Sequence, residues 1–306
     1  MVYAKERGTA HPARRAASPP DGDTGAMSET SPLPSALTIA GSDSGGAAGL
    51  QADLRTFLTC GVHGLVAVTA VTVQNTLGVH DRSDLPPHIV AGQIEAVAAD
   101  MGVGAAKTGM LASAEIIEAV AGACDSAGIG RDAASPFVVD PVAASMHGQP
   151  LFDDAGLAAL RELLLPRATV LTPNLDEVRL LTGITVTDRA RMREAAIALH
   201  RLGPRYVLVK SGHLADDPQC VDILFDGETF TELTGPRFRT PHTHGAGDAM
   251  ASALTAGLAR GMTVERAAAF GKWFVTNAVE HSYPMGAKVG PVSAFWRLAA
   301  EDFPAP

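Results

Sequence analysis

From Ala36 onward the chain alternates short apolar runs with longer segments of helical period, and this rhythm limits the fold more than any single motif. Ala36 to Ala40 (ALTIA) predicts a strand, followed by a Gly/Ser turn and a helix over Ala47 to Cys60. Gly64 to Val73 (GLVAVTAVTV) is β-branched and nearly continuous in apolarity, which predicts a strand buried on both faces of a parallel sheet. Helices are predicted over Pro86 to Asp100, where a proline pair occupies the first turn, and over Ser113 to Ala127, where Ser113 is the N-cap. Ala105 to Lys107 and Phe137 to Val139 read as strands, the second running straight into Asp140-Pro141.

The second half keeps the same rhythm. A helix around Ala155 to Leu165 precedes a strand at Ala168 to Leu171 and a turn, Thr172-Pro173-Asn174, that opens another helix. Arg189 to Leu202 is helical in pattern and Arg205 to Lys210 strand-like. Val221 to Phe225 and Thr229 to Leu233, joined by Asp226-Gly227-Glu228, predict a late antiparallel hairpin, because Asp-Gly supplies the positive φ of a tight turn. Helices follow from the Gly245 to Gly247 turn through Ala259 and over Val264 to His281. With no 20 to 50 residue repeat and no internal linker, residues 36 to 306 read as one α/β domain with a mostly parallel central sheet.

Residues 1 to 35 are dense in Pro, Ser, Gly and small charged residues and lack the apolar stretch of a secretory signal, which predicts a disordered extension. Met27 lies inside it, so a functional tail and a misassigned start both stay open. The run Gly64 to Val73 is about half of the roughly 20 residues a membrane-spanning helix needs, so no membrane partner is expected. The net charge of −9 argues against nucleic acid as a partner. Cys60, Cys124 and Cys220 are far apart and without Cys-x-x-Cys spacing, which suggests neither disulfides nor zinc and points to a reduced, cytoplasmic compartment.

In doubly wound sheets ligands sit beyond the carboxyl ends of the strands, so the polar residues that follow each apolar run carry the functional signal. Gly41 to Asp53 (GSDSGGAAGLQAD) matches neither the dinucleotide nor the Walker pattern, and reads equally as a ligand loop or a tight strand-to-helix connection. Asp140, then Asn174 with Asp176 and Glu177, then Lys210 each follow a strand, and together place carboxylates, an amide and a lysine on one sheet edge, as Mg²⁺ and phosphate groups require. Taken singly, Asn174 is as well explained as a helix cap and Lys210 as a solvated side chain. His242 to Asp248 (HTHGAGD) places a glycine-rich helix start, an anion site by its free N–H groups and dipole, beside the carboxylate of Asp248. That carboxylate is either a dipole partner or the group that positions a hydroxyl for attack on phosphorus. Gln74-Asn75 could read the edge of a flat polar ligand, and Met110 could cover its face or merely fill core. Histidines 63, 80, 88, 147, 200 and 281 show no metal spacing.

The segments AGSDSGGAAGLQADLRTF, GVHGLVAVTAVTVQNT, AAKTGMLAS, VVDPV with MHG, LTPNLDEVRLLTG, VLVKSGH, HTHGAGDA and GPVSAFWRL, in this order, resemble the hydroxymethylpyrimidine/phosphomethylpyrimidine kinases of thiamine biosynthesis, in the ribokinase superfamily. The resemblance implies a ribokinase-like three-layer α/β/α sandwich, a homodimer, and ATP-dependent phosphorylation of 4-amino-5-hydroxymethyl-2-methylpyrimidine and then of its monophosphate. It implies that Gln74 bonds the pyrimidine edge, that Asp53 accepts from its amino side, and that Gly41, Ala48 and Met110 shape the pocket. Asp140 and Glu177 are implied as Mg²⁺ ligands, Asn174, Lys210 and Thr243 as neighbours of the ATP phosphates, and the backbone of Gly245, Ala246 and Gly247 as the site of transferred charge.

Two positions depart from the family pattern. The anion turn reads Gly-Ala-Gly-Asp where most members have Gly-Thr-Gly-Cys, which assigns the base role to Asp248; Ser211 stands where glycine is usual. An ordinary aspartate, with a pKa of about 3.9, is a feeble base, and a helix start is expected to lower it further. The rival readings are a pyridoxine or pyridoxal kinase, favoured by the Asp at the anion turn, and a non-catalytic pyrimidine-binding protein, disfavoured because the anion turn, Glu177 and Lys210 are all present. A nicotinamide oxidoreductase needs a G-x-G-x-x-G turn after the first strand, which is absent.

Overall fold

The computed structural model describes residues 33–143, 151, 153–212, 214 and 219–298. Most of the expected N-terminal extension, the Met146-His147-Gly148 motif and His213 lie outside them.

Strand β1 (Ser35–Ala40) sits inside an eight-stranded sheet, buried from Ala36 onward, and its side chains alternate between two helical layers. Leu37 and Ile39 join one core with Val90 and Ile94 of α2 (Pro87–Asp100) and Ile116, Ile117 and Val120 of α3 (Ala114–Ser126). Ala36 faces the other way, into a core with Phe57 of α1 (Gly49–Thr59) and Phe274 of α8 (Val264–Glu280). The same alternation runs across β5 (Ala105–Thr108), β6 (Phe137–Val139), β7 (Val170–Leu171), β8 (Tyr206–Val209) and β9 (Gln219–Phe225): Ala106, Phe137, Val139, Leu171 and Val207 point to the first layer, and Ala105, Val138, Val170 and Leu208 to the second. With α4 (Asp154–Ala159), α5 (Leu175–Thr182) and α6 (Arg189–His200) on the α2/α3 side and α7 (Ala246–Ala259) with α1 and α8 on the other, this is the three-layer sandwich expected.

The strand order is β10-β9-β8-β7-β6-β5-β1-β2, where β2 is His63–Val68 and β10 is Phe230–Pro236. Pairing is parallel from β2 to β8, and β9 and β10 run antiparallel to their neighbours. The hairpin between them turns as its sequence predicts: Gly227 has φ +102°, and the Asp226 carboxylate accepts from the N–H groups of Glu228 at 2.8 Å and Thr229 at 2.6 Å.

Two expected elements differ. The single buried strand over Gly64 to Val73 is two strands that belong to different sheets. After β2 the chain leaves the main sheet at Thr69, whose N–H donates to the Ala40 carbonyl at 3.1 Å and whose hydroxyl donates to the Met110 carbonyl at 2.6 Å. It continues as β3 (Ala70–Asn75), antiparallel to β4 (Gly78–Asp84) in a separate two-stranded ribbon. Val71 and Val73 are more than half exposed there. β-branched residues favour extended backbone wherever it pairs, so their continuity concealed the change of sheet, and the polar β4 gave no apolar signal at all. The expected helix Ala155 to Leu165 holds α geometry only to Ala159, then passes through a π turn (Leu160–Leu164) into a 3-10 turn (Leu165–Arg167). Pro166 has no N–H to continue the ladder, and the backbone changes its hydrogen-bond spacing ahead of it.

The strand break generates a test on stability. Leu65→Ala, in β2, should cost about 2–5 kcal/mol, whereas Val71→Thr, on the exposed face of β3, should stay within about 0.5 kcal/mol, both read by urea denaturation. A single strand buried throughout would make both substitutions severe.

Candidate active site

The loop after β1 and the turn before α7 are locked together by backbone contact. Gly245, the N-cap of α7, has φ +79°, and a Cβ there would strike the Ala47 carbonyl oxygen, so only glycine fits. Asp43, which sequence reasoning passed over inside GSDSGG, organises the same junction. Its buried carboxylate accepts from the N–H groups of Gly45 at 2.8 Å and of Ala47 and Ala48 at 2.9 Å, and stands 3.5 Å from His244 Nε2. Burial alone would raise this carboxyl, but His244 and the three amides hold it below the ordinary value.

The β3–β4 ribbon closes over that loop. Thr72 donates its N–H to Ser42 Oγ and its hydroxyl to the Ser42 carbonyl, while Ser44 Oγ donates to the Gln74 carbonyl and accepts from the Gln74 N–H. A register shift between Val73 and Gln74 turns the ribbon at this point. These bonds use only the Gln74 backbone, and Gln74 lines one cavity together with Gly41, Ala48, Met110 and Asp248. A Cβ at Gly41 would displace the Met110 methyl, so the two residues share the shape of this wall. Thr72 and Val79 of the ribbon also line the cavity and were missed with the ribbon itself.

Asp53 is the one expected cavity residue placed elsewhere. Its side chain is fully buried, and both oxygens are taken: Oδ1 accepts from Lys107 Nζ and Ser252 Oγ, and Oδ2 from Thr38 Oγ1, each at 2.6 Å. Fully buried, held by three protein donors and outside the cavity lining, this carboxylate is not brought to the pyrimidine position, contrary to the expectation that it faces the substrate. Lys107 was the missed signal, because a lysine in the middle of a buried strand needs a carboxylate partner.

The second group of charges lies at the ends of β6, β7 and β8. Lys210 Nζ donates to Asp140 Oδ1 at 2.9 Å, and Thr172 Oγ1 donates to the same oxygen at 2.9 Å. Asn174 and Glu177 form a reciprocal capping box at the start of α5: Glu177 N–H donates to Asn174 Oδ1 at 2.9 Å and Asn174 N–H to Glu177 Oε2 at 2.7 Å. The Asn174 side-chain oxygen is therefore engaged as a cap. Burial pushes the Glu177 carboxyl up to about 7, with Asp140 reinforcing the rise and Lys210 and the Asn174 amide opposing it. The Lys210 ammonium lies against Gly247, close enough that a Cβ there would stand 3.4 Å from Nζ. The lysine, Asp140 and the anion turn thus form one surface.

At that turn the Ala246 N–H is used by the Thr243 carbonyl at 3.1 Å, whereas the N–H groups of Gly247 and Asp248 fall in the first turn of a helix, where intrahelical acceptors are lacking. Asp248 lies in the same first turn, with its side chain 18% exposed into the cavity. Burial raises its carboxyl, Lys107 opposes the rise, and Asp53 and Asp140 reinforce it, to a value of about 7. This reverses the sequence expectation of a lowered value: desolvation among other acids outweighs the helix dipole. The arrangement can hold a hydroxyl against a carboxylate titrating near neutrality while backbone amides and a lysine receive phosphate oxygens.

Among the described residues no three His, Cys, Asp or Glu side chains converge to form a metal shell, and no helix is long and apolar enough to cross a membrane. The family profile described as phosphomethylpyrimidine kinase matches residues 43–293. The hydroxymethylpyrimidine/phosphomethylpyrimidine kinase of Mycobacterium tuberculosis is 53% identical over 266 residues, 87% of this chain and 95% of that protein. Among solved structures, the ADP complex of Bacillus subtilis pyridoxal kinase aligns with a TM-score of 0.79 at 37% identity, covering 88% of this chain and 100% of that one. The phosphomethylpyrimidine kinase of Clostridium difficile 630 aligns with a TM-score of 0.70 at 36% identity, covering 80% and 99%. With this profile, this degree of identity and this site on one sheet edge, the chain belongs to the phosphomethylpyrimidine kinase family.

Proposed function

We propose that this chain transfers phosphate from ATP to the alcohol of 4-amino-5-hydroxymethyl-2-methylpyrimidine and then to the resulting monophosphate, in thiamine diphosphate biosynthesis. The observation that carries the reading is one cavity lined by both Gln74 and, at the start of α7, Asp248. A flat heterocycle bonded at its edge by Gln74, between Gly41, Ala48 and Met110, presents its hydroxymethyl group to Asp248. The ADP complex of the pyridoxal kinase supports a nucleotide as the second ligand.

Asp248 accepts the alcohol proton as the oxygen–phosphorus bond forms, and the bond from phosphorus to the leaving phosphate oxygen breaks. The turn of Gly245, Ala246 and Gly247, through the Gly247 and Asp248 N–H groups that the helix start leaves without intrahelical acceptors and with Thr243 beside them, and the Lys210 ammonium stabilise charge on the transferred group. Asn174 contributes its remaining amide N–H groups toward the ATP phosphates. Asp140 and Glu177 supply hard oxygen donors from only two side chains, which suits Mg²⁺, an ion that completes its shell with phosphates and water. When bound, that ion neutralises phosphate charge. The exposed Val71, Val73 and Leu77 on the ribbon support a homodimer as the assembly, and the absence of a spanning helix among the described residues is consistent with the cytoplasm.

The direct test is turnover with ATP and Mg²⁺, followed by phosphorus NMR. Hydroxymethylpyrimidine should pass through the monophosphate to the diphosphate, and pyridoxal, the acceptor named by the B. subtilis relative, should compete poorly. Preferential use of pyridoxal would overturn the assignment, and no turnover of any acceptor would favour the binding-protein reading.

The two acceptors also separate the role of Asp248. The alcohol must lose a proton, whereas the monophosphate is already ionised near neutrality, so Asp248→Asn should slow the first step by about 10²-fold or more and the second by far less. Because protonation removes the base, the wild-type first step should decline as pH falls through about 7, and the second step should lack that limb. Equal losses in both steps would assign Asp248 to binding instead.

A further inference from the structure

Beneath Asp248 lies a buried ion pair that the reaction described above leaves unused. Lys107, fully buried in β5, donates to Asp53 Oδ1 at 2.6 Å and stands 4.0 Å from Asp248 Oδ1. Asp53 is itself tethered on two further sides, by Thr38 of β1 and by Ser252 of α7, each at 2.6 Å. Ser252 follows Asp248 by one helical turn, so Asp53 is bonded to the helix that carries the catalytic carboxylate. A gap of 4.0 Å is too long for a hydrogen bond yet short enough for an ammonium charge to act strongly on a carboxylate.

We propose that Asp53 is a positioning residue that restrains Lys107 at this distance, so that Lys107 lends charge to Asp248 without donating to the oxygen that takes the alcohol proton. The proposal rests on Asp248 as the base. If Lys107 closed the gap, it would occupy a lone pair of Asp248 and weaken it as a base. If Lys107 were absent, Asp248 would face Asp53 of α1 and Asp140 beyond β6, opposed by Lys210 after β8, His244 of the anion turn and the start of α7, and would hold its proton to higher pH. Burial works against the Lys107 charge, but Asp53, Asp248 and Asp140 outweigh it and keep the ammonium protonated. A cation fixed to one carboxylate and withheld from the next satisfies both requirements.

The test compares Asp53→Asn, Lys107→Met and the double variant by pH profiles of kcat/KM for the alcohol and for the monophosphate. In Asp53→Asn the released lysine should move onto Asp248: the acid limb of the alcohol step shifts down by about one pH unit, and its plateau falls about tenfold or more. Lys107→Met should shift the same limb up by about one unit. The double variant, which leaves no uncompensated buried charge, should fold even where Lys107→Met does not, and should return the limb close to the wild-type position. Limbs that move in the same direction in the two single variants, or that stay in place while both steps lose activity equally, would overturn the proposal. Where Lys107→Met fails to fold, Asp53→Asn against the double variant decides by the same criterion. Survival of the alcohol step in Asp248→Asn would overturn the base reading and the proposal with it; selective loss there, with unmoved limbs in the Asp53 and Lys107 variants, overturns only the role of the pair.

Discussion

A single carboxylate, Asp53, joins four elements of the molecule: β1 through Thr38, β5 through Lys107, α7 through Ser252, and α1, on which it sits. Both charges of the pair are withdrawn from water, which is costly unless the buried groups are matched, and here three short bonds engage both carboxylate oxygens. The arrangement gives more than cohesion. It fixes α7, and hence the anion turn, against the strand ends from which Asp140 and Lys210 emerge. A purely apolar contact would tolerate sliding of α7 over the sheet, whereas bonds with defined lengths do not.

The site then divides into two regions with different tasks. Around the cavity, the β1–α1 loop, the β3–β4 ribbon and the anion turn are joined mainly by backbone-directed bonds, from Asp43 to three amides and from Ser42 and Ser44 to Thr72 and Gln74. Such contacts fix shape while leaving the Gln74 side chain available. Along the strand ends, side-chain charge dominates: Asp140, Glu177 and Asp248 face Lys210 and Lys107. Burial, opposed by the lysines and reinforced by the neighbouring carboxylates, raises Glu177 and Asp248 toward neutrality, a chemical state that isolated carboxyls do not reach.

The legible parts of the chain were those in which local chemistry and tertiary role agree. Asp226-Gly227 makes a tight turn because of its own φ preference, and Ser113 caps α3 by accepting from the Ile116 N–H. Phe137 to Val139 is a strand because apolar residues on both faces meet two helical layers. The illegible parts are those in which long-range pairing decides. Nothing local distinguishes β2 from β3, since only Thr69, bonded to Ala40 and Met110, marks the exit from the sheet. β4 is extended because β3 is beside it. The family resemblance placed Asp53 near the substrate, but its side chain leaves the helix toward Lys107, and a partner 54 positions away is invisible to spacing. Of the cavity residues, Gly41 and Met110 follow β1 and β5 and Ala48 ends the loop after β1, where the topology of parallel sheets collects them, whereas Gln74 reaches the cavity from the antiparallel ribbon.

The aspartate at the anion turn, where the family resemblance implies cysteine, bears on the same electrostatics. An ordinary thiol, with a pKa of about 8.5, is a far stronger base than an ordinary carboxylate at about 3.9, so a direct exchange would sacrifice several units of basicity. Position 248 removes most of that difference. Burial, with Asp53 and Asp140 nearby, lifts the carboxyl to about 7, and Lys107 at 4.0 Å keeps it from rising further into a state that is protonated at neutral pH. The surroundings of the residue, more than its chemical type, set where it titrates, and the proposed base role of Asp248 draws on a buried lysine that is tethered to a second carboxylate.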